Sequence, residues 1–135
     1  MQQQSFLKYN WPSILWAAFI LYLCLVPSSH LPRINIPNFD KIVHFTFYFT
    51  FVIITNWGWL KQQSFNSLHK NALLKIFIIA CVYGFSIEIM QETLTTTRHF
   101  EWLDEVANAC GAAVGSLLWV KIQPHPKSFS KGEGL

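Results

Sequence analysis

The sequence predicts an all-α protein, a four-helix transmembrane bundle with two short extracytoplasmic loops. Apolar residues make up 52% of the 135 residues and charged residues only 13%, about half the ~25% that is typical of soluble domains. A soluble domain of this length has too little interior to bury that much apolar surface. The apolar residues also fall into four long runs without the alternating pattern of strands, so we expect helices.

Each apolar run has about the length of one membrane crossing. The predicted spans are residues 11–26, 42–60, 72–91 and 103–122, which hold 16 to 20 residues each. About 20 residues cross a ~30 Å hydrocarbon core at 1.5 Å per residue. The first span ends at Leu25-Val26-Pro27, which lacks the small residues of a signal-peptide cleavage site, so we expect the span to be retained.

The spans divide the chain into three parts. Residues 1–10 are predicted to be a cytoplasmic N-terminus, residues 11–122 a four-helix membrane domain, and residues 123–135 a cytoplasmic tail. The Pro-, Lys-, Ser- and Gly-rich composition of this tail predicts disorder. The two outer loops are residues 27–41, in which Leu31, Ile34 and Ile36 predict contact with the membrane or the bundle, and residues 92–101.

Basic residues near the spans predict the orientation of the chain. With a cytoplasmic N-terminus, seven basic residues flank the cytoplasmic side and three flank the outer side. This asymmetry favours both termini inside, because cytoplasmic flanks carry the excess of Lys and Arg. The seven are Lys8, Lys61, Lys70, Lys75, Lys121, Lys127 and Lys131, and the three are Arg33, Lys41 and Arg98.

Polar side chains repeat at helical spacing on one face of each of the last three spans. Because such groups avoid lipid, the three faces are expected to meet in a polar pocket near the outer ends of the spans. Arg98 is expected to be the countercharge in this pocket, since a guanidinium can bind two carboxylate oxygens at once. The predicted pocket residues are Asp40, His44, Glu88, Gln91, Arg98, Asp104 and Asn108.

Several of these residues also have a structural interpretation. Asp40 and Asp104 are placed where acids cap helices, Asn108 could join helices by hydrogen bonds, and His44 could be a structural histidine. Glu88 is the residue least easily explained this way, because a carboxyl group inside a span is costly. The small residues Gly84, Gly111 and Gly115 predict close helix packing.

Taken together, these motifs resemble a known family. The motifs are Asp40-Lys41-x-x-His44-Phe45, Gly84-x-x-x-Glu88-x-x-Gln91, Arg98, and Asp104-x-x-x-Asn108-x-x-Gly111-x-x-x-Gly115. Over residues 27–120 the chain is similar to the VanZ-like family of small bacterial integral membrane proteins, named after a teicoplanin-resistance protein. The resemblance adds Lys41 to the expected binding residues, includes Gly111 in the family pattern, and implies the bacterial cytoplasmic (inner) membrane. One departure is Thr95-Thr96-Thr97, where the family tends to have a Pro-Gly-like turn.

Two classes of function remain open from the sequence. The first is a non-enzymatic envelope protein whose pocket binds a lipid headgroup, a cell-wall intermediate or an amphiphilic antibiotic. The second is a membrane-embedded enzyme acting on a lipid-linked substrate, with His44, Glu88 or Asp104 as catalytic groups and Arg98 as an anion clamp. Binding is favoured because no catalytic motif is recognisable.

The expected partners are membrane lipids and a lipid-linked or cell-wall ligand. A nucleic-acid partner is not expected, because the net charge is only +3 and the positive-inside pattern explains it. No cofactor is expected either. His44, Glu88 and Asp104 are N and O donors that could bind a metal ion, but no metal-binding spacing motif joins them, so no metal is predicted.

Overall fold

A computed structural model describes residues 2–61 and 71–123 of the chain. These residues form four α-helices, α1 (Gln2–Leu25), α2 (Phe39–Lys61), α3 (Ala72–Leu94) and α4 (Trp102–Ile122), with a short 3-10 helix at Ser28–His30. The described ranges contain no strand. The prediction of an all-α chain with four long helices is therefore confirmed, whereas the predicted disorder of the tail beyond residue 123 lies outside the described residues.

Helix α1 begins much earlier than predicted. The predicted span began at residue 11, with Pro12 in its first turn, but α1 begins at Gln2 and encloses Pro12. Packing against α2 accounts for the earlier start. Gly58 of α2 lies against this segment, and a Cβ at Gly58 would lie 2.6 Å from the carbonyl oxygen of Tyr9 and 2.9 Å from Asn10 Oδ1. Such close packing supports helical structure on both sides of the proline.

Helix α2 packs most extensively against α4. The close approach depends on Gly111 and Gly115, as the sequence predicted. A Cβ at Gly111 would collide with the backbone carbonyl of Phe45, and one at Gly115 would lie 2.9 Å from the carbonyl oxygen of Phe49. Since both neighbours are backbone atoms, the two helices could not keep this separation if either glycine had a side chain.

Helix α1 is joined to its neighbours by hydrogen bonds from side chains to backbone. Trp16 Nε1 donates to the carbonyl oxygen of Phe47 in α2 at 3.0 Å, and the Tyr83 hydroxyl of α3 donates to that of Ala17 at 2.6 Å. These bonds satisfy polar groups that lie in an otherwise apolar contact. They hold α1 beside both α2 and α3.

The distribution of polar and apolar side chains differs from that of a water-soluble domain. Glu88, Asn108, His44 and Asp104 are buried, while large apolar side chains on all four helices are exposed. Within the described residues, one helix, α3, is both long enough and apolar enough to cross a membrane. The polar side chains of α2 and α4 lower the mean hydropathy of those helices. The four-crossing topology therefore stays a prediction.

Candidate functional site

The predicted site residues lie at one end of the bundle, which we call the loop end because residues 26–38 and 95–101 connect the helices there. The C-terminal ends of α1 and α3 and the N-terminal ends of α2 and α4 meet at this end. Five side chains form what we call the polar cluster. They are Lys41, His44, Glu88, Asp104 and Asn108.

Lys41 is the cation that joins the carboxylates of the loop end. Its Nζ lies 2.6 Å from Asp40 Oδ2, 2.9 Å from Glu101 Oε2 and 2.8 Å from Asp104 Oδ1. The Lys41 side chain is only 19% exposed. Lys41 thereby connects α2 to α4, and its three donors match the three acceptors around it.

These contacts change the proton affinity of the two residues that precede the predicted span 42–60. Burial opposes the positive charge of Lys41, but its hydrogen bonds to Asp104, Asp40 and Glu101 raise the pKa of Lys41 above its usual value. Burial also disfavours ionised Asp40, but the hydrogen bond and charge of Lys41 outweigh this effect and lower the pKa of Asp40. Both residues are therefore charged at neutral pH.

His44 lies at the centre of the polar cluster, one turn after Asp40 on α2. Its Nδ1 is 3.0 Å from Asn108 Oδ1 and 3.8 Å from Glu88 Oε1. Its Nε2 is 3.8 Å from Asp104 Oδ2. The imidazole thus has oxygen atoms from α3 and α4 near both ring nitrogens. The structure brings together the polar faces that the helical spacing predicted.

Glu88 is completely buried, with 0% of its surface exposed. Its Oε2 accepts a hydrogen bond of 3.3 Å from the backbone N–H of Glu101, which follows the short loop after α3. Its Oε1 has no hydrogen-bond partner among the described residues. A buried carboxyl oxygen without a partner is costly, and helix packing alone does not explain it.

Asn108 is oriented by two neighbours. Its Nδ2 donates to Glu105 Oε2 at 3.2 Å, which leaves Oδ1 as the acceptor that faces His44. Gly84 of α3 makes room for this amide, since a Cβ there would lie 2.8 Å from Asn108 Nδ2 and 2.9 Å from Glu105 Oε2. Gly84, predicted as a helix-packing residue, thus accommodates polar side chains of α4.

Arg98 does not have the contacts that the sequence suggested. We expected its guanidinium to bind the carboxylates, but it makes no ion pair within the described residues, and its Nε has no hydrogen-bond partner there. Lys41 contacts the carboxylates instead. The reason is position, since Lys41 lies in the first turn of α2 facing α4, whereas Arg98 lies in the loop before α4.

A cavity of about 510 Å³ lies beside the polar cluster. Its walls are mostly apolar, and its polar lining comes from Asp40, His44 and Arg98. The loop residues that were expected to contact the membrane or the bundle line this cavity. The apolar lining includes Leu23, Leu31, Ile34, Ile36, Val43 and Phe47.

The remaining predicted residues have mainly structural contacts. Gln91 Nε2 donates to the carbonyl oxygen of Cys24 at 2.9 Å, which joins α3 to the end of α1. Asp40 and Asp104 lie in the first turns of α2 and α4, but their carboxylates bind Lys41. The hydrogen bonds of these two side chains are therefore to Lys41 and do not support the capping interpretation.

Two acidic residues of the site, Glu101 and Glu105, were not among the residues predicted from the sequence. Glu101 binds Lys41 through its side chain and Glu88 through its backbone N–H, and Glu105 accepts from Asn108. A signal was present in the spacing. Glu101, Asp104 and Asn108 lie at i, i+3 and i+7, which is the face of α4 that carries the other polar residues.

Two groups of side chains at the loop end have the composition of a cation site. In the first, one donor atom from each of His44, Glu88 and Asp104 lies within 4.8 Å of the others. In the second, Asp40, Glu101 and Asp104 are equally close, but the Lys41 ammonium group bonds to all three. The first group is therefore the one whose donors could hold a metal ion.

Comparison with known proteins identifies the family. A family model described as VanZ/LLP1 matches residues 2–123, nearly the whole chain. No curated protein matches the chain, and no solved structure does. The matched segment includes all four helices and every residue of the polar cluster, so the chain belongs to the VanZ/LLP1 family.

Proposed function

We propose that this protein crosses the bacterial cytoplasmic membrane four times and binds an amphiphile with an anionic headgroup in the cavity at the loop end. The composition of the cavity lining carries the proposal. Apolar side chains from α1, α2 and the loop between them form most of the wall, and Arg98, His44 and Asp40 supply the polar part. A volume of about 510 Å³ falls within the ~300–1,000 Å³ range of small-molecule sites.

The charge of the headgroup follows from Arg98. Within the described residues its guanidinium has no carboxylate partner, so its charge is available to a bound anion. A guanidinium binds phosphate or carboxylate through two parallel hydrogen bonds. Asp40 does not cancel this attraction, because its carboxylate is already bonded to Lys41.

The membrane location has two kinds of support. The family is one of membrane proteins by the resemblance described above, and the four helices of 21 to 24 residues are each about 30 Å or longer. Their exposed surfaces are rich in large apolar side chains, such as Tyr22, Val82 and Leu117. Lipid would cover these side chains, which in water would form extensive apolar patches.

The headgroup contact can be tested with dodecyl phosphate as the probe. The full chain is purified in an uncharged detergent, and the thermal unfolding midpoint is measured with increasing dodecyl phosphate. A ligand that binds the folded state raises this midpoint. Arg98→Lys should fold normally yet bind about tenfold more weakly, because an ammonium group cannot form the two-point contact.

Arg33→Lys is the matched control for this experiment, because Arg33 is exposed in the loop between α1 and α2 and does not line the cavity. It should leave the stabilisation unchanged. Dodecyltrimethylammonium, which has the same chain length and a cationic headgroup, should not stabilise the protein. Equal stabilisation of wild type and Arg98→Lys, or stabilisation by the cationic probe, would contradict the proposal.

A further inference from the structure

The polar cluster contains a set of metal-binding groups contributed by three helices. His44 comes from α2, Glu88 from α3 and Asp104 from α4, and one donor atom from each lies within 4.8 Å of the others. All three residues are buried. His44 and Glu88 are 44 residues apart in the sequence, and Glu88 and Asp104 are 16 residues apart. Because of these separations, no short sequence motif identifies the site.

The unpartnered oxygen of Glu88 is an independent sign of a missing ligand. Glu88 Oε1 belongs to a side chain that is 0% exposed, and it has no hydrogen-bond partner among the described residues. The nearest ring nitrogen, His44 Nδ1, is 3.8 Å away, which is too far for a hydrogen bond. A cation bound by Glu88 Oε1 would supply the contact that this oxygen lacks.

The hydrogen bonds of His44 indicate which of its nitrogens is free. Because Asn108 Nδ2 donates to Glu105, Asn108 Oδ1 must accept from His44 Nδ1. The neutral imidazole then has its lone pair on Nε2, which faces Asp104 Oδ2 at 3.8 Å. Nε2 and Asp104 Oδ2 thus face each other with lone pairs, and a metal ion could bind both. The bond from Nδ1 to Asn108 Oδ1 also fits a metal site, because metal-bound histidines commonly donate their other N–H to an oxygen.

Positive charge is also scarce around these carboxylates. Among the Lys and Arg side chains that the structure describes, Lys41 alone contacts them, and it already bonds to Asp40, Glu101 and Asp104. Glu88 has no Lys or Arg partner within the described ranges. Buried carboxylates are stable when they are paired or coordinate a metal, and a divalent ion would provide the missing charge.

We propose that His44, Glu88 and Asp104 bind a divalent first-row transition metal ion, with Mn²⁺ and Zn²⁺ fitting best. Imidazole favours Zn²⁺ and similar ions, while carboxylates also suit Mn²⁺. Asn108 orients His44 through its amide oxygen. This ion site goes beyond the proposed amphiphile binding and does not depend on it, although His44 also lines the cavity.

The test uses Mn²⁺ as the probe, because Mn²⁺ prefers oxygen and nitrogen donors to the thiols of the three cysteines. Tag-free protein in detergent is stripped with a chelator and titrated with Mn²⁺, and free Mn²⁺ is measured by electron paramagnetic resonance. One ion should bind per chain. Glu88→Gln and Asp104→Asn should each weaken binding by at least about tenfold, since the loss of even a supporting partner costs 10- to 100-fold.

Glu92→Gln is the matched control, because Glu92 lies one turn further along α3 and is about half exposed. It should bind Mn²⁺ like the wild type. A folded wild-type protein that binds no Mn²⁺ stoichiometrically would overturn the proposal, as would equal affinities in Glu88→Gln and Glu92→Gln.

An alternative to the metal site is a protonated His44 that forms ion pairs with Glu88 and Asp104. The two hypotheses can be distinguished by comparing the thermal stability of Glu88→Gln and wild type with and without Mn²⁺. With chelator present, the empty metal site leaves Glu88 Oε1 buried without a partner, so Glu88→Gln, which removes the carboxyl group, should unfold at a higher temperature than the wild type. With Mn²⁺ present, the order should reverse. If Glu88→Gln is the less stable protein under both conditions, the charged pair is correct and the ion site is wrong.

Discussion

At the scale of single residues, helical spacing predicts which side chains meet but not which cation binds them. His44, Glu88 and Asn108 were predicted to converge because residues four apart share a helix face and polar faces avoid lipid. The choice between Lys41 and Arg98 was not predictable in the same way. It depends on the course of the loop before α4 and on how far a flexible side chain extends, and neither follows from periodicity.

Replacing Lys41 should destabilise the fold by removing the cation shared by three carboxylates. In Lys41→Met, Asp104 is left nearly buried beside Asp40 and Glu101 without a positive partner. We expect a loss of about 1–2 kcal/mol at neutral pH, between the values for exposed and buried ion pairs. Unfolding of the purified protein in mixed detergent micelles measures this loss.

Lys61→Met serves as the control, because Lys61 is exposed at the opposite end of the same helix. It should change stability by less than about 0.5 kcal/mol. If the two variants are equally stable, the contacts of Lys41 do not contribute to folding.

The advantage of wild type over Lys41→Met should also depend on pH in a defined direction. The pKa of Asp40 is lowered in the folded protein, so its contribution is present above its usual pKa of 3.8 and is lost as the pH falls through the folded value. The pKa of Lys41 is raised, so its contribution is lost only above its usual pKa of 10.5. The stability difference should therefore be constant near neutral pH and shrink below about pH 4. A difference that grows in acid would contradict these contacts.

At the scale of helices, the small residues of α4 correctly predicted close packing against another helix. The Gly111-x-x-x-Gly115 pattern identified a close contact without naming its partner, and the partner proves to be the backbone of α2 at Phe45 and Phe49. The start of α1 was predicted wrongly. Pro12 is a common first-turn residue, but Gly58, 46 residues later, provides the surface on which the earlier residues pack. A contact of that range has no local signal.

Substitution of Gly111 should test this helix contact. Even the single methyl group of Gly111→Ala would collide with the Phe45 carbonyl, and the backbone can avoid it only if the two helices separate. We expect a loss of about 1–3 kcal/mol, typical of overpacking, and a larger drop for Gly111→Leu. Folded yield and the unfolding midpoint measure the effect.

Leu118→Ala is the comparison at an exposed position of the same helix. It removes three carbon atoms from a side chain that is 39% exposed and adds none at the α2–α4 contact, so its folded yield should exceed that of Gly111→Leu. Equal yields would show that the close approach of α2 and α4 is not required for folding.

At the scale of the whole molecule, the predicted orientation has both termini in the cytoplasm. The number of helices and their polar faces follow from the sequence, while the crossing of the membrane rests on one sufficiently apolar helix and on the family. The other helices contain aromatic and polar residues that lower their mean hydropathy, so their composition alone does not identify them as membrane spans. In α2 and α4 some of these polar residues, such as His44 and Asn108, belong to the polar cluster.

Cysteine labelling can determine this orientation. In intact cells, a membrane-impermeant thiol reagent should label Ser29→Cys and Thr96→Cys, which lie in the two loops at the loop end. It should not label Gln63→Cys until the membrane is made permeable. Labelling of Gln63→Cys without labelling of Thr96→Cys would show that the orientation predicted from the Lys and Arg count is wrong.

The depth of Glu88 has an electrical consequence if the loop end faces outward. Glu88 lies three residues before the end of the predicted span 72–91, or roughly 4.5 Å at 1.5 Å per residue, which is about 15% of a ~30 Å core. A divalent ion entering from outside would then cross about 15% of the membrane voltage, worth about 0.7 kcal/mol per 100 mV. An inside-negative potential should therefore strengthen Mn²⁺ binding about threefold per 100 mV, measurable in proteoliposomes with an imposed potassium gradient. An energised membrane would then hold the ion more tightly than a depolarised one.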